Sequence, residues 1–130
     1  MRFAAIVYVD PERFAALDER QLAELDEASF AEDEALRASG QLILAEALQP
    51  VTEAVTVRVR HGHVSTTIGP FAETAEHLGG IVLLEARDLN EAVGIVSRYA
   101  IAEFGAIEVR PVMDLEATVM ARRAAAQGDG

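Results

Sequence analysis

The chain has 130 residues, a formal net charge of −11 and no cysteine. That length suits one domain, the missing thiols exclude disulfides, thiolate zinc sites and a cysteine nucleophile, and the acidic balance argues against direct binding to nucleic acid or to an anionic membrane surface. Hydrophobic residues make up 51% of the sequence, enough for a core, yet no run approaches the roughly 18 consecutive apolar residues of a membrane helix.

Residues 2–9 alternate and are rich in β-formers, so they read as the first strand. The apolar run is short, and Asp10-Pro11-Glu12 follows it where a signal peptide would carry a small-residue cleavage site, so a cytoplasmic protein is expected. A short helical turn is predicted near 11–17 and a long helix near 19–39. Asp18 and Gln21 have the spacing of a capping box, Leu22, Leu25, Ser29 and Leu36 fall near one face, and Gly40 stands where a helix end places glycine. Between Asp10 and Arg37 there are ten acidic residues and three arginines, so this helix carries much of the charge excess.

Residues 41–48 form a second strand candidate, ended by Pro50. In 54–60, Val55, Val57 and Val59 alternate with Thr56, Arg58 and Arg60. His61-Gly62 suits a two-residue hairpin turn, with 63–68 returning so that Val59 faces Val64 and Val57 faces Thr66. The valines are expected on a buried face; Arg58, Arg60, His63, Ser65 and Thr67 share the wetter one, a modest basic patch able to hold a carboxylate ligand or to pair with the acidic helix. A loop is predicted over 69–77, with Phe71 as its anchor. Gly79-Gly80 then precede the continuous apolar run 81–84, expected to be a strand buried on both faces. Asp88 and Glu91 again suggest a capping box, opening a helix with Leu89, Ala92, Val93, Val96 and Ala100 on one side. A last strand over 106–112, with Ile107 and Val109 inward, and an amphipathic tail from 114 to about 126 complete the chain; residues 127–130 are expected to fray.

This order describes an α+β protein of ferredoxin-like type. Two helices cover one face of such a sheet. A second copy is the simplest cover for the other, which makes the chain a predicted homodimer.

The segment Ile68-Gly69-Pro70-Phe71-Ala72-Glu73-Thr74, with Glu76 and Leu78-Gly79-Gly80, resembles the signature loop of the DGPF group of YCII-related proteins, D-G-P-F-A-E-T-K-E followed by L-G-G. Comparable stretches follow the same order at 36–40, 45–50, 55–60, 85–89 and 108–112, so the resemblance covers most of residues 1–112. It implies a ferredoxin-like βαββαβ core with an added β-hairpin, forming a dimeric α/β barrel. Residues 1–113 are read as that domain and 114–130 as a helical tail with a frayed end. Two motif positions depart from the group: Ile68 stands for the aspartate and Ala75 for the lysine. Some YCII-related proteins are thought to use a His–Asp pair with the histidine on the first helix; no histidine lies between Met1 and Arg60, so neither half carries over.

Glu73, inside the matching motif, and Phe71 beside it are the first ligand-binding candidates. Tyr8, Glu85 and Arg110, on predicted central strands, could form a polar cluster, although a Glu–Arg pair between neighbouring strands explains the charges equally. His63 joins them from the basic patch. His61 and His63 flank a hairpin tip without a third ligand, so no metal is expected, and no glycine pattern for a nucleotide cofactor is present. The functional reading is a small homodimeric α/β-barrel protein that binds a small molecule in a cleft near the 69–78 loop, with no catalytic residue assigned and enzymatic activity left open. One alternative is a non-catalytic interaction or regulatory module acting through the acidic helix 19–39. The other is a lyase or hydrolase of the YCII-related type.

Overall fold

A computed structural model describes residues 1–128. The sequence patterns become six strands and four helices. In chain order they are β1 (Arg2–Val9), α1 (Pro11–Ala15), α2 (Glu19–Ala38), β2 (Leu42–Ala47), β3 (Val55–Arg60), β4 (His63–Ile68), β5 (His77–Glu85), α3 (Leu89–Val96), β6 (Gly105–Pro111) and α4 (Leu115–Gly128), with 3-10 turns at Val51–Glu53 and Ala100–Phe104.

Local chemistry sets the helix ends. Asp10 accepts from the Glu12 N–H and starts α1. Asp18 and Gln21 close the full capping box of α2, each side chain bonding the other's backbone N–H. Gly40, at φ +78°, turns the chain out of α2. At α3 only half of the box forms. Asp88 accepts from the Glu91 N–H, but the Glu91 carboxylate takes the Arg87 N–H instead.

The main sheet is antiparallel with strand order β2-β5-β1-β6. This is the ferredoxin-like arrangement, with the β3–β4 hairpin inserted as a separate two-stranded sheet. Alternation on β1 sends Phe3, Ala5 and Val7 to one face, where they meet Val82 and Leu84 of β5 and Leu42 of β2. Leu36 of α2 and Ala92, Ile95 and Val96 of α3 close that core from above, with Ile107 and Val109 packed at its edge. Burying an aliphatic or aromatic side chain of this kind contributes about 1.5–3 kcal/mol.

Among the described residues nothing covers the other face of the main sheet. Its rows are fixed by register: Leu44, Leu83, Ala4 and Arg110 cross the sheet in one, and Glu46, Ile81, Ile6 and Glu108 in the next. Ile81 is 39% exposed and Leu44 42%. The run 81–84 is therefore buried on one face of the chain, not on both as its continuous apolarity suggested. β5 also begins earlier than expected, at His77, so Gly79 and Gly80 lie within it. The register slips there: Val7 pairs with Gly80 and Tyr8 with Leu78, leaving Gly79 as a bulge. A Cβ at Gly79 would stand 3.0 Å from the Val9 side chain, and one at Gly80 3.2 Å from the Glu46 carbonyl, so the missing side chains admit the flanking strands.

The hairpin has the expected register, Val59 opposite Val64 and Val57 opposite Thr66. His61 (φ 53°) and Gly62 (φ 78°) supply the two positive angles of its tight turn. Its valine face is not buried within the chain: Val57 is 60% exposed and Val64 68%. Alternation put these side chains on one face, but the hairpin projects from the body and nothing of its own chain lies over them. On α3, too, the buried side is Ala92, Ile95 and Val96; Leu89 and Val93 face outward, and Ala100 lies beyond the helix in a 3-10 turn. Helix α4 buries no residue and stays helical through Gln127 and Gly128; the rest of the expected frayed end, 129–130, lies outside the described residues. Among the described residues no helix is long and apolar enough to cross a membrane.

Candidate functional site

The best-formed concavity lies where β2, the hairpin and the 69–76 loop converge. The chain leaves β2 through Leu48 and Gln49, turns at Pro50, and re-enters β3 through Ala54. The loop is tied down at the same place. The Gly69 N–H donates to the Ala54 carbonyl (2.8 Å), and the Thr56 hydroxyl donates to the Gly69 carbonyl (2.8 Å). Gly69 adopts φ +112°, a left-handed angle that glycine tolerates and L side chains rarely do. Pro70 and Phe71 are thereby held opposite Leu48 and Val51, with Leu78 at the side. The concavity stands open to solvent on one side and has a volume of about 390 Å³, within the usual range for small-molecule sites.

The walls are mostly apolar, and the polar groups at hand are few. The Thr56 hydroxyl is already committed to the loop. Gln49 brings an amide. The Arg58 guanidinium lies 5.4 Å from the centre of the Phe71 ring, a cation–π contact. Phe71 is thus not the buried loop anchor that the sequence suggested. It is 77% exposed, because backbone bonds at Gly69 already hold the loop, and its ring serves as wall and as a seat for Arg58.

The six candidates from the sequence do not converge. Phe71 lines the cleft. Glu73 lies exposed in the same loop, and among the described residues its carboxylate has no bonded partner. Tyr8 is half-buried on the open sheet face, across from Leu78 and Ala106. Glu85 takes the chain's amino terminus at 3.2 Å and Arg2 Nε at 3.5 Å, an ion pair between neighbouring strands. Arg110 pairs along its own strand with Glu108 at 3.7 Å. His63 is exposed at the hairpin turn opposite Arg60. Among the described residues no group of three or more His, Cys, Asp or Glu side chains is arranged to hold a metal.

A wider groove of about 650 Å³ runs between the chain start and α4. Of its charged groups, the amino terminus, Arg2 and Glu85 satisfy one another and the Asp114 carboxylate accepts from the Ala117 N–H, which leaves the hairpin cleft as the better candidate. The sequence did not mark Leu48, Gln49, Val51, Ala54 or Leu78 as site residues. The first four lie on the single connection from β2 to β3 and Leu78 on β5, and only the break at Pro50 hinted that the chain doubles back there.

The comparisons with known proteins agree with this architecture. A protein of Rhizobium meliloti (strain 1021), itself uncharacterised, is 33% identical over 118 residues, covering 86% of this chain and 92% of the relative. A solved structure of 5-chloro-2-hydroxyhydroquinone dehydrochlorinase from Burkholderia phenoliruptrix AC1100, in complex with 2,5-dihydroxybenzoquinone, superposes with a TM-score of 0.51 over 87% of this chain and 94% of that one. At 16% identity, that likeness speaks to the fold. The YCII-related domain family matches residues 1–116, the whole of the sheet and the start of α4, and the chain belongs to that family.

Proposed function

We propose that this chain is a homodimeric, cytoplasmic α/β-barrel protein that binds a small molecule in the cleft between the hairpin base and the 69–76 loop. The observation that carries the reading is the cleft itself: about 390 Å³ of mostly apolar lining, held open by backbone bonds at a left-handed glycine. Anchoring at Gly69 lowers the entropy that the start of the loop loses when a ligand arrives. That the dehydrochlorinase of the same fold was solved with a quinone bound is consistent with a ligand-binding role. Its reaction is not carried over, because α1 and α2 hold no histidine to act as a base.

The dimer supports the site. A second copy set against the open sheet face would cover Ile6, Leu44, Ile81 and Leu83 and surround them with the polar groups of both chains. In this reading Tyr8, Glu85 and Arg110 face the dimer interior, Glu73 is the loop's polar contact to ligand, and His63 stands at the outer end of the hairpin.

A metabolite panel screened by thermal shift tests the binding. Some member raises the melting temperature of the wild type, Ala54→Trp fills the cleft and abolishes the rise, and Glu73→Ala reduces it. A rise that survives Ala54→Trp places the ligand elsewhere. No rise with any compound counts against the reading.

A second reading rests on α2. Phe30 is 70% exposed on that helix, amid the exposed Asp26, Glu27 and Glu34. An apolar side chain in an acidic field suits docking to a basic partner protein. Such a complex, recovered at low salt, would dissociate as screening increases.

A further inference from the structure

We infer that the cleft selects a small aromatic or alicyclic anion, its apolar body against Phe71 and Leu48 and its negative end on Arg58; this inference rests on the cleft reading above.

Arg58 stands at the edge of this cleft without lining it. It follows Thr56, a lining residue, by two positions on the same face of β3, and its guanidinium sits over the ring of Phe71, another lining residue. It is half-buried, yet among the described residues it has no ion pair and no hydrogen-bond partner. Six of the 11 arginines, Arg2, Arg13, Arg20, Arg87, Arg98 and Arg110, have carboxylates within reach; of the others, Arg58 is the one that stands over an aromatic ring lining the cleft.

The neighbours of Arg58 on the hairpin sharpen the point. Ser65 lies directly across from it, Thr67 diagonally, and Arg60 and His63 one pair further on. None is acidic, so this face of the hairpin offers two guanidinium groups, Arg58 nearer the cleft and Arg60 nearer the turn, and the hydroxyls of Ser65 and Thr67. An anion bound there would accept from the guanidinium fork and from a hydroxyl. The guanidinium is planar by resonance, and its contact with the Phe71 ring orients it, which lowers the cost of forming those bonds. A polar, multiply charged ligand fits poorly, because Leu48, Val51, Ala54, Pro70 and Leu78 would face its other end. One charge at the end of an apolar body matches both parts of the site.

Benzoate and its neutral counterpart benzyl alcohol serve as probes, by titration calorimetry and amide chemical-shift mapping on the full chain. Benzoate binds at least about tenfold more tightly than benzyl alcohol, the scale of a charge-assisted contact, and shifts the amides of Thr56, Arg58 and Phe71. Arg58→Gln removes that preference, benzoate and benzyl alcohol then binding alike, and Arg58→Lys keeps part of it. If both probes bind the cleft equally, or if Arg58→Gln leaves benzoate binding intact, the charge selection is wrong and the cleft reading survives. If neither probe binds, or the shifts fall outside 48–58 and 69–78, both are overturned.

Discussion

The Tyr99 hydroxyl donates to Asp33 Oδ1 at 3.1 Å, and beside it Arg98 Nε reaches Glu32 Oε1 at 3.0 Å. These two contacts fasten the chain after α3 to the middle of the acidic helix. Burial raises the Tyr99 pKa above its ordinary value, and the Asp33 and Glu32 charges and the hydrogen bond raise it further, against a smaller opposing effect of Arg37. Tyr99→Phe should cost about 1 kcal/mol at neutral pH, the usual net worth of such a bond, read as a lower urea midpoint. The pH dependence has a definite sign. The unfolded chain ionises Tyr99 near about pH 10 while the folded chain holds the proton to higher pH, so this contribution is intact below that point and is lost as pH climbs beyond it. Wild-type stability should therefore fall between about pH 10 and 11 more steeply than that of Tyr99→Phe; parallel curves would contradict the burial account. Asp18 and Gln21 were legible in the sequence because a capping box is local. Tyr99 and Asp33 stand 66 positions apart, and no periodicity joins them.

At the scale of the element, patterning says which side chains share a face but not what lies over it. The alternation of Val55, Val57 and Val59 located β3, its turn and its register correctly, and the expectation of burial failed because cover is a property of the surroundings. The glycines of β5 show the converse. They read as a break, yet they admit close passage of β1 and β2 within a strand. Gly105 is a stronger case, since a Cβ there would overlap the backbone carbonyl of Tyr8 where β6 joins β1. Gly105→Ala should destabilise by about 1–3 kcal/mol, measured by denaturant unfolding, and an unchanged midpoint would show that the strands can part without cost. Asp18→Ala, which removes the α2 cap, should cost about 1 kcal/mol by the same assay.

At the scale of the whole molecule, the core lies between one sheet face and two helices, leaving Ile6, Leu83, Leu44 and Ile81 on the other. The strand order followed from the alternation of strands and helices together with the family resemblance. The cleft did not, because the connection from β2 to β3 supplies one wall while the start of β3, the loop and β5 supply the rest. The proposed second copy would cover the apolar side chains of the open face. Such an interface would be vulnerable to a single charge: Ile81→Glu would set a carboxylate at the centre of a desolvated surface, beside Glu46 in the same row. The variant should keep the far-ultraviolet spectrum of the wild type and lose the dimer.

Sedimentation equilibrium at micromolar concentration addresses this most directly. The account predicts twice the chain mass of 14.0 kDa for the wild type and the single chain mass for Ile81→Glu. A wild-type particle of 14.0 kDa, folded and unassociated at that concentration, would contradict it.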